Sequence, residues 1–122
     1  METHQLKQRA RWVRHQVLEM ISGAGRGHIG GSFSATDILV SLYHGNLLRY
    51  DPLNPNWAQR DRFIMSKGHS AEALYAVLAD VGFFDVSILK TYGKPGSVLG
   101  GHVDHYLPGI DLSTGSLGHG LG

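Results

Sequence analysis

Four of the eight histidines directly follow a glycine, namely His28, His69, His102 and His119. This is more often than 17 glycines among 122 residues would produce by chance. An imidazole can donate or accept a proton near neutral pH, and glycine lets the backbone approach a ligand closely. The repeated pair therefore predicts histidines held on tight turns, beside something that they contact.

The most informative of these pairs lies in the segment SKGHSAEALY, residues 66–75. It follows a short strand predicted over RFIMS, residues 62–66, and it precedes a helix predicted from apolar residues at three- and four-residue spacing. Free backbone N–H groups at the start of a helix attract an anion, most naturally a phosphate. The alternative is that His69 only occupies a turn and that Ser70 caps the helix.

Three other patterns have weaker chemical interpretations. The segment GRGHIG, residues 25–30, matches the dinucleotide-binding pattern G-x-G-x-x-G, but a helical period rather than a strand precedes it. His102, Asp104 and His105 could ligate a metal, although no further ligand follows at a supporting spacing, and a solvated loop is the alternative. The segment STGSLGHGLG, residues 113–122, lacks the lysine of a P-loop, and its alternative is the plain start of a helix.

The composition excludes several classes of protein. The chain has no cysteine, so disulfides and thiolate metal sites are impossible, and its net charge of +1 argues against nucleic-acid binding through bulk charge. No apolar run is long enough to span a bilayer, and the first residues lack the apolar region of a signal peptide. We therefore expect a cytoplasmic protein with neither a nucleic-acid nor a membrane partner.

The elements that must position the histidines are mostly helical. One helix is predicted from Leu6 to Ile21 and ends near Gly23, and a glycine-rich loop follows over residues 23–33. A capping box of Ser34 and Asp37 predicts the start of a second helix. The helix after His69 should stop at Gly82, and Asp85 should cap a short fourth helix before a long loop. One strand cannot form a sheet, so residues 1–122 are interpreted as part of a single α/β domain.

The order of these motifs resembles the beginning of transketolase. The segments GHIGGSFSATDIL, RDRFIMSKGHSAEALYAVL and GGHVDHYLPGIDLSTGSLGHGLG carry the resemblance. They are most similar to the N-terminal subunits of split transketolases. The resemblance implies an α/β thiamine-diphosphate-binding domain with a parallel sheet flanked by helices. It implies thiamine diphosphate held through Mg²⁺ or Ca²⁺, and transfer of a two-carbon ketol unit from a ketose phosphate to an aldose phosphate.

The resemblance also implies roles for individual residues. His69 corresponds to the histidine that contacts the cofactor's diphosphate, and Gly115, Ser116 and Leu117 correspond to the backbone that lines the thiamine rings. His28 and His102 correspond to the histidines that face the substrate, which makes them the candidate catalytic residues.

The sequence also departs from the family pattern. Ile29 and Val103 replace frequent prolines, and His119 replaces a common glutamine, which leaves the donor and acceptor sugars open. No Gly-Asp-Gly is present, so the metal ligands are expected outside this chain. We accordingly expect no activity from this chain alone, and two kinds of protein partner: a homo-oligomer and a C-terminal transketolase subunit. The alternatives are a non-catalytic module that keeps the fold, or another thiamine-diphosphate enzyme such as a deoxyxylulose-phosphate synthase relative.

Overall fold

The computed structural model describes residues 1–114. Over this range the regular structure consists of three α-helices and two shorter 3-10 helices. In chain order they are α1 (Thr3–Ala24), α2 (Ile29–His44), a 3-10 turn (Gly68–Ser70), α3 (Ala71–Val81) and a 3-10 helix (Val86–Thr91). Each α-helix packs against the other two, so the starts of α2 and α3 can meet at one end.

The helix predicted from Leu6 to Ile21 is confirmed as α1. Its buried residues recur at three- and four-residue steps on one face: Ala10, Val13, Val17 and Met20. The helix ends two residues later than expected, because Gly25 rather than Gly23 adopts the left-handed conformation, with φ of 73°. Its backbone N–H donates to the carbonyl of Ile21 at 2.9 Å, which satisfies an otherwise open carbonyl of the last turn.

The start predicted for α2 is wrong. The helix begins at Ile29 rather than after Ser34, so the glycine-rich loop is shorter than expected. Ser34 lies inside the helix and its hydroxyl donates to the carbonyl of Gly31, while Asp37 pairs with Arg14 instead of forming a capping box. Residue 31 of α2 must be a glycine, because a Cβ atom at this position would lie 2.2 Å from Ser70 Oγ. This close approach brings α2 against the turn that precedes α3.

Helix α3 is the central element of the core. Nine of its eleven residues are buried, which is the pattern of a helix surrounded by protein on all sides. It ends at Gly82 with φ of 103°, as predicted. Asp85 caps the following element as predicted, since its Oδ1 accepts the Ser87 N–H at 2.8 Å, although that element is a 3-10 helix. A buried α3 fixes the position of the His69 turn at its N-terminus.

The strand predicted over residues 62–66 is wrong. Burial alternates there, with Met65 buried and Ile64 39% exposed, yet no neighbouring strand within residues 1–114 pairs with the segment. Its backbone is held by isolated side chains: the Phe63 N–H donates to Asp111, and Thr114 donates to the carbonyl of Met65. A strand exists only through its ladder with another strand. The parallel sheet is thus not formed within the described range, which contains helices and loops only.

No helix in the described range is both long and apolar enough to cross a membrane.

Asp80 joins the three helices through one carboxylate. Arg9 of α1 donates to both of its oxygens at 2.9 Å, and Nε2 of His44 of α2 lies 2.7 Å from Oδ2. Burial disfavours the charged carboxylate, but the hydrogen bond to His44 and the charge of Arg9 outweigh this effect. Together they hold the pKa of Asp80 below its usual value. The cluster therefore stabilises the arrangement of α1, α2 and α3.

We expect Asp80→Asn to lower the free energy of unfolding by about 1–3 kcal/mol at neutral pH, because Arg9 and His44 lose a charged acceptor. A depressed folded-state pKa means that this stability is present above the unfolded-state pKa. It is lost as the pH falls through the lower folded-state pKa. The difference from wild type should therefore shrink in acid, as measured by denaturant unfolding across pH. Asp37→Asn, at the more exposed pair with Arg14, is the control; an equal loss there would contradict the prediction.

Candidate functional site

The structure brings His28 and His69 into contact. His28 is the residue that directly precedes α2, and His69 lies in the 3-10 turn before α3. Their ring centroids are 4.9 Å apart, with the planes at 76°, so the edge of one ring faces the other. Two of the predicted site residues, far apart in the sequence, thus meet because the starts of α2 and α3 converge.

His102 shares a pocket with His28. The pocket has a volume of about 480 Å³, within the range of small-molecule sites. Its lining residues come from the α1–α2 connection and from the loops after the second 3-10 helix: Arg26, Gly27, His28, Tyr92, Gly93, Leu99, Gly101 and His102. None of these residues is acidic, and three carry side-chain N–H donors. That donor set fits a ligand that carries an anionic group.

The backbone of His102 is fixed by the core tyrosine Tyr75. The Tyr75 hydroxyl lies 2.5 Å from the carbonyl oxygen of Gly100 and 3.0 Å from that of His102, so it donates within this loop. Burial raises the pKa of Tyr75 well above its usual value, so the hydroxyl keeps its proton at neutral pH. The loop that carries His102 is therefore attached to the middle of α3.

Val103 explains one departure from the family pattern. Its side chain is only 2% exposed, and its N–H donates to the carbonyl of Gly68 at 3.2 Å. A proline has no backbone N–H and could not make this bond. The bond connects the His102 loop directly to the turn that carries His69.

Glu72 lies beside this pocket and was not predicted from the sequence. Its side chain has no exposed surface, and its Oε1 accepts the backbone N–H of His28 at 2.9 Å. The other oxygen, Oε2, has no hydrogen-bond partner among residues 1–114. The sequence did contain a signal for it, since Glu72 is the only charged residue in the first nine positions of α3.

Two further pocket residues were also missed. Burial and the neighbouring carboxylate of Glu72 raise the pKa of Tyr92 to about 12, so Tyr92 is a neutral hydroxyl in the pocket wall. Arg26 brings a permanent positive charge to the same wall. Its position within GRGHIG was visible in the sequence, but only the glycines and the histidine of that segment received a role.

Several sequence interpretations do not hold. Ser70 stands at the start of α3 but makes no capping bond, and its buried hydroxyl has no partner in the described part of the chain. No group of three or more potential metal ligands occurs within residues 1–114, so His102, Asp104 and His105 do not form a metal site there. His105 instead lies 2.7 Å from Ser113 Oγ and lines a separate pocket of about 330 Å³.

Two sequence patterns remain: the G-x-G-x-x-G match and the predictions for residues 115–119. The G-x-G-x-x-G match at residues 25–30 follows α1 rather than a strand, so the structural context of a dinucleotide site is missing. The predictions for Gly115, Ser116 and Leu117, and the departure at His119, lie outside the described residues.

Comparison with known proteins gives a consistent class. Residues 5–122 match the family described as "Transketolase, thiamine diphosphate binding domain". The chain is 46% identical over 117 residues to a 6-deoxy-6-sulfo-D-fructose transketolase subunit of Clostridium sp. (strain MSTE9), a match that covers 95% of this chain and 42% of the relative. It is 41% identical over 121 residues to one of the subunits of apulose-4-phosphate transketolase from Phocaeicola vulgatus, covering 99% of this chain and 43% of the relative.

A solved structure leads to the same class. Transketolase from Campylobacter jejuni superposes with a TM-score of 0.87 at 32% identity, covering 97% of this chain and 18% of that one. The class is that of thiamine-diphosphate-binding domains, and the chain belongs to the transketolase family within it. It spans less than half the length of the two curated relatives.

Proposed function

We propose that this chain is the N-terminal part of a transketolase that transfers a two-carbon ketol unit from a ketose to an aldose. The observation that supports this most strongly is the convergence of three histidines from separate segments. His28 and His69 are in ring contact, and His28 and His102 line one pocket. The family match supports thiamine diphosphate as the cofactor.

His69 is proposed to hold the cofactor. In the described part of the chain, its turn directly precedes α3, where backbone N–H groups and the helix dipole favour an anion, and its imidazole adds a donor. Gly115, Ser116 and Leu117 are proposed to line the thiamine rings. When bound, thiamine diphosphate supplies the nucleophilic carbon that carries the two-carbon unit. A divalent metal, Mg²⁺ or Ca²⁺, is proposed to offset the diphosphate charge, with ligands outside this chain.

His28 and His102 are proposed to act on the substrate. A ketol donor presents hydroxyl groups, and an imidazole can donate a hydrogen bond to a hydroxyl oxygen or accept its proton. Placing two imidazoles on one pocket wall orients the donor and provides a proton acceptor where a hydroxyl becomes a carbonyl. The neutral hydroxyl of Tyr92 adds a further donor on the same wall.

The substrate class is proposed from the charge of the pocket. One relative is named for a sulfo sugar and another for a sugar phosphate, both of which are anionic. Arg26 and two histidines line the pocket here, with no acidic side chain among the lining residues. We therefore infer that the substrates are sugars bearing a phosphate or sulfonate group.

The partners are proposed from the same relatives. Both are named as subunits, which supports a companion C-terminal transketolase subunit for this chain. A homo-oligomer and a cytoplasmic location are proposed with it. No observation favours a non-catalytic module or a deoxyxylulose-phosphate synthase relative over this function.

The test is a ketol-transfer assay of the complete enzyme with thiamine diphosphate and Mg²⁺. Donors should include a phosphorylated ketose, a sulfonated ketose and an uncharged ketose, with an aldose phosphate as acceptor. We expect transfer from at least one anionic donor and a much higher KM for the uncharged one. If the enzyme binds the cofactor but transfers no ketol unit from any donor, it is a cofactor-binding protein without the proposed activity, and the proposal is contradicted.

A further inference from the structure

We propose that Glu72 is a positioning residue, which sets where the His28 imidazole stands relative to His69 and the pocket. The expected effect on donor kinetics rests on the proposed function. The position of the His28 imidazole can be measured whether or not the enzyme carries out that reaction. Glu72 accepts the backbone N–H of His28 and neighbours the Tyr92 hydroxyl, so its effect on a substrate would act through these wall residues, and its hydrogen bond is to His28.

The burial of the Glu72 carboxylate indicates a role beyond packing. Glu72 has no exposed surface and lies in the first turn of α3, a helix that is otherwise apolar through its buried length. Burial of a carboxylate with incomplete hydrogen bonding is costly. Here Oε1 has a single backbone donor, and Oε2 has no hydrogen bond of good geometry in the described residues, although the Tyr92 hydroxyl neighbours the carboxylate. An apolar side chain of similar size would fill the space without this cost. The acid is therefore poorly explained by packing alone.

The α1–α2 connection is shaped around the Glu72 carboxylate. Gly27 has φ of +154°, and a Cβ atom there would lie 2.8 Å from Glu72 Oε1 and 2.5 Å from Ile21 Cγ1. Only glycine allows the carboxylate to reach the next backbone N–H, that of His28. Two glycine-dependent features, the turn at Gly25 and the close approach at Gly27, thus direct the chain past Glu72.

The start of α2 also contacts the Glu72 carboxylate. This helix has no side-chain cap of its own and no acidic residue in its first turn. Glu72 of α3 supplies the missing negative group at the residue that precedes α2, where a helix N-terminus favours an anion. His28 is both the recipient of this contact and a wall residue of the pocket. Moving the carboxylate would therefore move the histidine.

The test compares Glu72→Leu with Glu72→Gln in the complete enzyme. Leucine removes the acceptor at similar volume, whereas glutamine keeps a carbonyl oxygen for the His28 N–H. We expect Glu72→Leu to lower kcat/KM for the ketose donor by about 10- to 100-fold, because small misplacements of a reacting group have effects of that size. Thiamine diphosphate affinity should change by less than about twofold. Glu72→Gln should retain most of the kcat/KM that Glu72→Leu loses. Glu19→Gln on the exposed side of α1 is the control.

A spectroscopic readout separates this inference from the proposed function. In protein labelled with ¹³C-histidine, the His28 signal is assigned by its absence in His28→Asn. Glu72→Leu should shift the His28 signal strongly and the His15 signal hardly at all, whether or not the enzyme transfers ketol units. An unshifted His28 signal, or donor kinetics equal to wild type, would overturn the inference. If Glu72→Leu does not fold, the same comparison is made with Glu72→Met, whose unbranched side chain of similar length also lacks an oxygen acceptor, and the same outcomes decide it.

Discussion

Alanine at His28 or at His102 is expected to reduce kcat/KM for the ketose donor by about 10²–10⁴-fold, the range for loss of a general acid or base. Thiamine diphosphate affinity should stay within about twofold of wild type. The physical reason is that both side chains line the same pocket, from which an imidazole can reach substrate hydroxyls. Steady-state kinetics with the true donor, combined with cofactor titration, measure the two effects separately.

The control for this prediction is His15→Ala. His15 is an exposed residue of α1 that pairs with Glu19, so the same chemical change is made away from the pocket. Wild-type activity in both His28→Ala and His102→Ala would contradict their assignment as catalytic residues. A loss of cofactor affinity equal to the loss of turnover would instead place them at the cofactor.

The sequence predicted those helices and helix ends that depend on interactions within one short segment. The apolar spacing of α1 and the left-handed glycine at Gly82 are properties of short segments, so the sequence is sufficient to locate them. The roles of the histidines were predicted differently, through the order of motifs that resemble transketolase. Spacing along the chain contains no direct information that residues 28 and 69 are in ring contact.

Tertiary contacts determine the two elements whose predictions were wrong, namely the start of α2 and the segment at residues 62–66. The capping pattern at Ser34 is typical of a helix start, yet α2 begins at Ile29 because the chain before it is attached to Glu72 of α3. The strand at residues 62–66 has the right alternation but no neighbour to pair with in the described part of the chain. In both cases the deciding partner is remote in sequence.

His69→Ala is expected to weaken thiamine diphosphate binding by about 1.5–3 kcal/mol, the value of a hydrogen bond to a charged group. This corresponds to roughly a 10- to 150-fold rise in Kd. The melting temperature of the cofactor-free enzyme should hardly change, because His69 is only partly buried. Calorimetric titration with thiamine diphosphate in the presence of Mg²⁺ measures the affinity, and thermal unfolding measures stability.

His105→Ala is the matched control, since His105 lines a different pocket. If the apoenzyme loses stability while its cofactor affinity stays constant, His69 is a structural turn residue.

The ring contact between His28 and His69 predicts that substitutions at the two residues are coupled. The effects of substitutions at residues in contact are rarely additive, so the double variant should differ from the sum of the single effects on kcat/KM for the ketose donor. Additive losses would mean that the two imidazoles act independently despite their contact.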